Sequence, residues 1–215
     1  MQLSIILLLL LVLYIVLTSE SKWEAFKIII SAGAIALFIR TFFFQPFTIP
    51  SGSMIPTLLV GDFIFVSQYK YGYSKHSLPF SLPLFKGRVL KKKPKRGDVV
   101  VFKTPNDNRT DYVKTLIGLP GDKIQVKGGI LYINGKIVER NKVQNSTIRV
   151  HNNYLNEFDY VEVLPNGSKH IVRELKGDNS PSDNTIIYTV PENNFFLMGD
   201  NRDNSIDSRV LNYVG

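Results

Sequence analysis

Three residues could do nucleophilic chemistry together: Ser51, Ser53 and Lys114. The two serines lie in Pro50-Ser51-Gly52-Ser53-Met54-Ile55-Pro56-Thr57-Leu58. Each bracketing proline fixes its own φ and pushes the residue before it towards extended geometry. In an extended segment, side chains at i and i+2 point to one side, so Ser51 and Ser53 are expected to lie together. Gly52 between them allows another backbone to come close. A serine hydroxyl is a poor nucleophile until a base takes its proton. The chain has three histidines, His76, His151 and His170. None sits in a motif, which argues against a Ser-His-Asp triad. A lysine can replace histidine when burial lowers its pKa, because desolvation disfavours the ammonium. Lys114, after Val113 and before Thr115-Leu116-Ile117, is the candidate. Plainer readings stand beside these: a polar turn for the serines, and a strand lysine on a solvated face for Lys114.

Three further stretches carry a resemblance. They are Arg96-Gly97-Asp98-Val99-Val100-Val101-Phe102, Asp111 to Asp122 (DYVKTLIGLPGD), and Phe196 to Arg209 (FLMGDNRDNSIDSR). With the serine stretch, these closely resemble the boxes of the type I signal peptidases, membrane-bound serine proteases of the Ser-Lys class. The likeness covers residues 40–75, 96–140 and 195–213. It implies Ser53 as nucleophile and Lys114 as general base. Ser51 would join the backbone N–H of Ser53 in the oxyanion hole. Ser205 would hydrogen-bond and orient the lysine amine. Asp207 and Arg209 would form a charged pair behind the site, and Gly199 with Asp200 the tight turn leading into it. Phe47, Ile49, Met54, Leu58, Ile64, Val101, Tyr112 and Val113 match positions lining shallow substrate pockets, with core packing open for each. The implied reaction is removal of signal peptides from exported preproteins after small residues (A-x-A). An extended substrate would pair with exposed strand edges.

The elements that must position these groups follow from hydropathy. Residues 1–18 are almost wholly Leu, Ile and Val, near the minimum length of a spanning helix. They lack a basic n-region and a small-residue cleavage site, so they read as an uncleaved anchor. A linker, 19–25, leads to a second apolar run, 26–45, with Lys27 and Arg40 near its ends. Lys22 and Lys27 favour a cytoplasmic linker, with the large domain outside. The resemblance implies the same placement, on the extracytoplasmic side of a bacterial inner membrane. From residue 46 to 215 the pattern is strand-like. Phe63–Val66, Val99–Phe102, Tyr112–Ile117, Ile124–Val126, Ile130–Ile133 and Ile137–Val138 read as strands, with hairpin turns at Gly128-Gly129 and Asn134-Gly135. Residues 141–190 read as a polar insert with scattered short strands and low functional content. The expected fold is thus mainly β: an antiparallel-sheet, signal-peptidase-like catalytic domain behind one or two transmembrane helices.

There are 26 Lys+Arg against 18 Asp+Glu and no cysteine, so neither disulfides nor Cys-based metal sites enter. Seven basic residues between Lys86 and Arg96 read as a solvated loop or as a contact with anionic headgroups. No nucleic-acid-binding module accompanies them, and the expected partners are preproteins and the lipid bilayer. No cofactor is expected. An EF-hand reading from Asp203 fails, because position six is Ser208 and position twelve Val214, so no metal is expected either. Two rival readings remain. A self-cleaving repressor with a Ser-Lys site conflicts with two apolar anchors. A tethered, catalytically weak or inactive signal-peptide-binding domain is the other, since family members usually continue with further strands beyond the last box.

Overall fold

The computed structural model describes residues 21–78, 87–105, 107–150, 153–175, 177 and 180–211, with Tyr14 and Thr18. The first expected anchor therefore lies outside the described residues, apart from Tyr14 and Thr18. So do residues 79–86 and Asn106. Two compact units emerge: one of residues 1–46 and 65–92, the other of 47–64 and 93–215.

The first unit holds helix α1, Lys22–Phe42. It starts ahead of the expected 26, because Lys22, Glu24 and Ala25 are good helix formers and Glu24 suits the positive end of the helix dipole. It stops short of the expected 45, because Pro46 holds the residue before it in extended geometry. The 21 residues span about 31 Å, enough to cross a bilayer's hydrocarbon core. Only Ala25 and Thr41 are buried, while Ile28, Ile30, Ile35, Leu37 and Phe38 are exposed around the helix. Also in this unit, β3 (Tyr73–Ser74) pairs with β4 (Arg88–Val89). Strand β1 (Phe44–Thr48) pairs with β2 (Phe63–Ser67) in a two-stranded sheet.

The second unit is built of antiparallel sheets. In one, β6 (Asp111–Gly118) lies between β5 (Val99–Lys103) and β14 (Phe196–Met198). In another, β7 (Lys123–Lys127), β8 (Ile130–Ile133) and β9 (Lys136–Ile137) form a meander, with β13 (Tyr188–Thr189) on β7. The turns between them are where the sequence placed them: Gly128, Gly129, Asn134 and Gly135 all have positive φ, as tight hairpins with the right-handed strand twist require. Alternation sends Ile124, Val126, Leu131 and Ile133 inward, to join Ile117, Val138, Leu164, Val190, Phe196 and Met198 in one apolar core.

The Asn-rich insert departs from expectation. Residues 139–174 form a regular three-stranded sheet of β10 (Glu139–Val150), β11 (Asn153–Val163) and β12 (Lys169–Glu174). A long hairpin pairs Glu139 with Val163 through to Val150 with Asn153, with a bulge near Lys142. Polar composition hid these strands, because strand alternation is legible only where one face is apolar.

Candidate active site

Ser53 sits on a single 3-10 turn, Gly52–Met54, rather than on the extended strand its prolines predict. Only Ser51, with φ −134° and ψ 155°, and Ile55, with φ −62° and ψ 136°, are extended. The turn still brings the hydroxyls of Ser51 and Ser53 within 3.5 Å of each other. Met54 is buried and anchors the turn from below.

Lys114 reaches this turn from the middle of β6. Strand alternation puts Lys114 on the face opposite Ile117, away from the apolar core. Tyr112, two residues earlier on the same face, lays its ring 5.3 Å from the amine. Lys114 is only 3% exposed, and its Nζ donates to Ser53 Oγ at 2.7 Å. Burial pushes its pKa below the ordinary lysine value, against the opposing pull of Asp207 and Asp200.

The loop after β14 supplies the third side. Its Asn201 donates from Nδ2 to the Gly52 carbonyl at 2.9 Å and from its backbone N–H to the Ser53 carbonyl at 3.1 Å. Gly199 is where this loop passes the serine turn. A Cβ there would stand 2.2 Å from Ser205 Oγ, 2.5 Å from Ser205 Cβ and 2.6 Å from the Ser53 carbonyl oxygen. Asp207 holds the loop together: it accepts from the Gly199 N–H at 3.0 Å and pairs with Arg209 at 2.9 Å. Burial alone would raise the Asp207 carboxyl, but the Arg209 guanidinium and the Gly199 N–H hold it below its usual value. Asp200 accepts hydroxyl bonds from Thr57 at 2.5 Å and Thr115 at 2.7 Å.

Between these parts lies a cleft of about 340 Å³. The segments 49–54 and 110–114 line it, with Asn204 and Ile206 from the loop. Of the eight positions matched to substrate pockets, Ile49, Met54, Tyr112 and Val113 line this cleft. Phe47, Leu58, Ile64 and Val101 do not. Val101 is one strand farther out, across from Val113, and Leu58 follows a turn closed by its N–H on the Met54 carbonyl. Ser205 also departs from its expected role. No hydrogen bond joins its buried hydroxyl to the Lys114 amine; it lies beside the Asp207 carboxylate instead.

The family model described as signal peptidase, peptidase S26, matches residues 22–215. The chain belongs to that family. Signal peptidase I of Rickettsia felis is 44% identical over 200 residues, covering 90% of this chain and 73% of the relative. That of Rickettsia prowazekii is 45% identical over 200 residues, covering 90% and 74%. A crystal structure of a signal peptidase I from Enterococcus faecalis is 27% identical, covering 57% of this chain and 90% of that one, with a TM-score of 0.32. The chain is accordingly a serine endopeptidase of signal-peptide processing.

Several residues of this signal peptidase site escape sequence reasoning. Asn201, Asn204 and Ile206 stand inside the last box, yet nothing in their type says that they reach the serine turn. Glu162, in the insert, pairs with Arg202 at 2.5 Å, both almost fully buried, with His170 Nε2 3.3 Å from the carboxylate. Burial would raise Glu162, but the charge of Arg202 and the bonds from His170 and Arg202 bring it down to about 2. The insert also lends the loop backbone bonds, from Arg173 N–H to the Asp200 carbonyl and from Leu175 N–H to Asp203. The insert thus supplies buried structural contacts to the loop that its composition does not suggest.

Proposed function

We propose that this signal peptidase cuts by a Ser53/Lys114 acyl-enzyme mechanism. The neutral Lys114 amine takes the Ser53 proton as Oγ attacks the scissile carbonyl. The ammonium then returns that proton to the leaving amine. A water, deprotonated by the same amine, releases the acylated product and restores Ser53. Ser51 Oγ and the Ser53 backbone N–H are the donors proposed for the carbonyl oxygen as it gains negative charge, where fixed dipoles act most strongly. Asp207, Arg209 and Gly199 hold the loop that backs the turn. The observation that carries this reading is the 2.7 Å contact between a buried lysine amine and a serine hydroxyl at the floor of a cleft.

The preferred substrates are preproteins with small residues before the cut, in the A-x-A pattern. Ile49, Met54, Tyr112 and Val113 give the cleft apolar walls that exclude bulky side chains by sterics. Helix α1, within the anchor proposed for 26–45, would tether the enzyme to the inner membrane, with the domain from 46 onward outside. Residues 1–18 would supply a second anchor. Sharing a bilayer with the signal peptide raises effective concentration without any new contact.

The test is cleavage of a purified A-x-A preprotein by the full chain in detergent, beside Ser53→Ala and Lys114→Ala. Cutting after the small residue by the parent chain alone supports the reading. Cutting that survives Lys114→Ala removes lysine as the base, and binding without cutting by all three favours a binding domain.

A further inference from the structure

The loop 199–209 meets the insert at a second cluster of charge, on the side of Asp203. Glu174 closes β12, Asp183 closes the short 3-10 turn Pro181–Asp183, and Asp203 lies in the 3-10 turn Arg202–Asn204. One carboxylate oxygen from each lies within 4.8 Å of the other two. Glu174 and Asp183 are each 1% exposed. Proximity of acids alone would mean little. The deciding feature is Glu174 Oε2, a fully buried oxygen that has no hydrogen-bond partner among the described residues. Leaving such an atom bare is costly, and more so when it is charged. The nearest guanidinium, Arg140, stays 3.9 Å from the other oxygen, Oε1, too far for a hydrogen bond. Arg202 donates from both Nη atoms to Glu162, so its nearest bonds go elsewhere.

We propose that Glu174, Asp183 and Asp203 bind one divalent cation of the oxygen-preferring kind, with Ca²⁺ the best match, which fastens the catalytic loop to the insert sheet. Ca²⁺ takes oxygens at about 2.3–2.6 Å, so ligands on opposite sides of it stand about 4.6–5.2 Å apart, and the cluster fits inside that span. Three carboxylates against Arg140, with Arg202 paired to Glu162, leave a net charge near that which a divalent ion cancels. Asp183 accepts from Ser180 N–H through Oδ2, and Asp203 from Leu175 N–H through Oδ2. The three ligands stand far apart in sequence, at 174, 183 and 203, which is why an EF-hand search from Asp203 could not find them. A proton is the competing occupant. Burial, then the neighbouring Asp203 and Asp183 against Arg202 and Arg140, raises the Glu174 carboxyl to about 8.

The experiment uses the full chain in detergent, stripped with a chelator and titrated with Ca²⁺, then separately with Mg²⁺, by calorimetry and thermal unfolding. One equivalent of Ca²⁺ should bind and raise the Tm by about 5–10 °C at a hundredfold excess over Kd. Glu174→Gln and Asp203→Asn, which keep side-chain volume, should each weaken binding at least tenfold. Their own thermal transitions show that they fold, and binding is read without reference to peptidase activity. No Ca²⁺ or Mg²⁺ bound at millimolar concentration would overturn the proposal. So would binding that survives both substitutions, or a Glu174→Gln chain that gains stability while the parent ignores metal, since a proton is then the occupant.

Discussion

Replacing Gly199 by alanine tests whether the loop and the serine turn are as closely fitted as the geometry requires. The added Cβ meets the Ser53 carbonyl oxygen at 2.6 Å and Ser205 at 2.2 and 2.5 Å. Real Cβ contacts stay above about 3.0 Å, so the Ser53 carbonyl must retreat by roughly 0.4 Å and Ser205 by more. Gly199 does not have a positive φ, so the cost is steric and not conformational. Overpacking of this kind costs about 1–3 kcal/mol, or a Tm drop of about 2–12 °C for a chain of this size. Movement of the Ser53 backbone should cost more in rate than in stability, since a misplacement of about 1 Å can lose a hundredfold. Preprotein cleavage with kcat and KM measured separately is the assay. A fall in kcat of about ten- to a hundredfold, with KM little changed, is expected. Adding Ser205→Gly removes the two closest clashes and leaves the one with Ser53. The double variant should therefore recover Tm but not kcat. A Gly199→Ala enzyme with full activity, or a double variant that recovers both, would refute the argument.

Two other outcomes follow from charge. Lys114 must be neutral to accept a proton, so kcat should rise with pH through a Lys114 pKa held below the ordinary value by burial. Asp207→Asn removes a carboxylate that pulls that pKa up and leaves Arg209, which pulls it down, so the acid limb should move to lower pH. A limb that stays fixed or moves up in a pH–rate profile would contradict this. Glu162→Gln leaves the Arg202 charge buried without its partner, a loss of about 3–5 kcal/mol, or about 6–20 °C in Tm. Because the folded Glu162 pKa is depressed to about 2, its contribution is complete above the unfolded value of about 4.3 and fades as pH falls through 2. Parent and variant melting curves should accordingly converge at low pH.

What could be read in advance divides along physical lines. Strands β7 and β8 declared themselves because one face of each is buried and the turns beside them need residues that tolerate positive φ. Lys114 and Ser53 stood out by motif, and no feature of the sequence says that a lysine 61 positions later reaches a given serine. The serine turn was misread in shape, because two prolines constrain their neighbours while the 3-10 geometry is imposed by Asn201 bonding to the Gly52 and Ser53 carbonyls. The insert was misread for a related reason. Its strands meet the rest of the domain through Glu162, Arg173 and Glu174, and polar contacts leave no periodic apolar trace.

The same polar contacts bear on how a buried lysine can be basic enough to work and neutral enough to start. Desolvation lowers the Lys114 pKa, yet Asp200 and Asp207 stand close enough to restore it. Both carboxylates are needed where they are, because they tie the loop to Thr57, Thr115, Gly199 and Arg209. Those same ties mute them. Asp207 faces a guanidinium that offsets part of its field at the amine, and Asp200 is itself raised by burial, despite its two hydroxyl donors. Lys114 therefore feels its burial more than its acidic neighbours. That balance depends on Arg209 staying on Asp207, and Arg209 in turn donates to the carbonyl of Arg202, whose side chain is held by Glu162 of the insert. A chain of buried charges thus runs from the insert sheet to the loop beside the lysine, and loosening its far end should be felt as a change in the basicity of the near one.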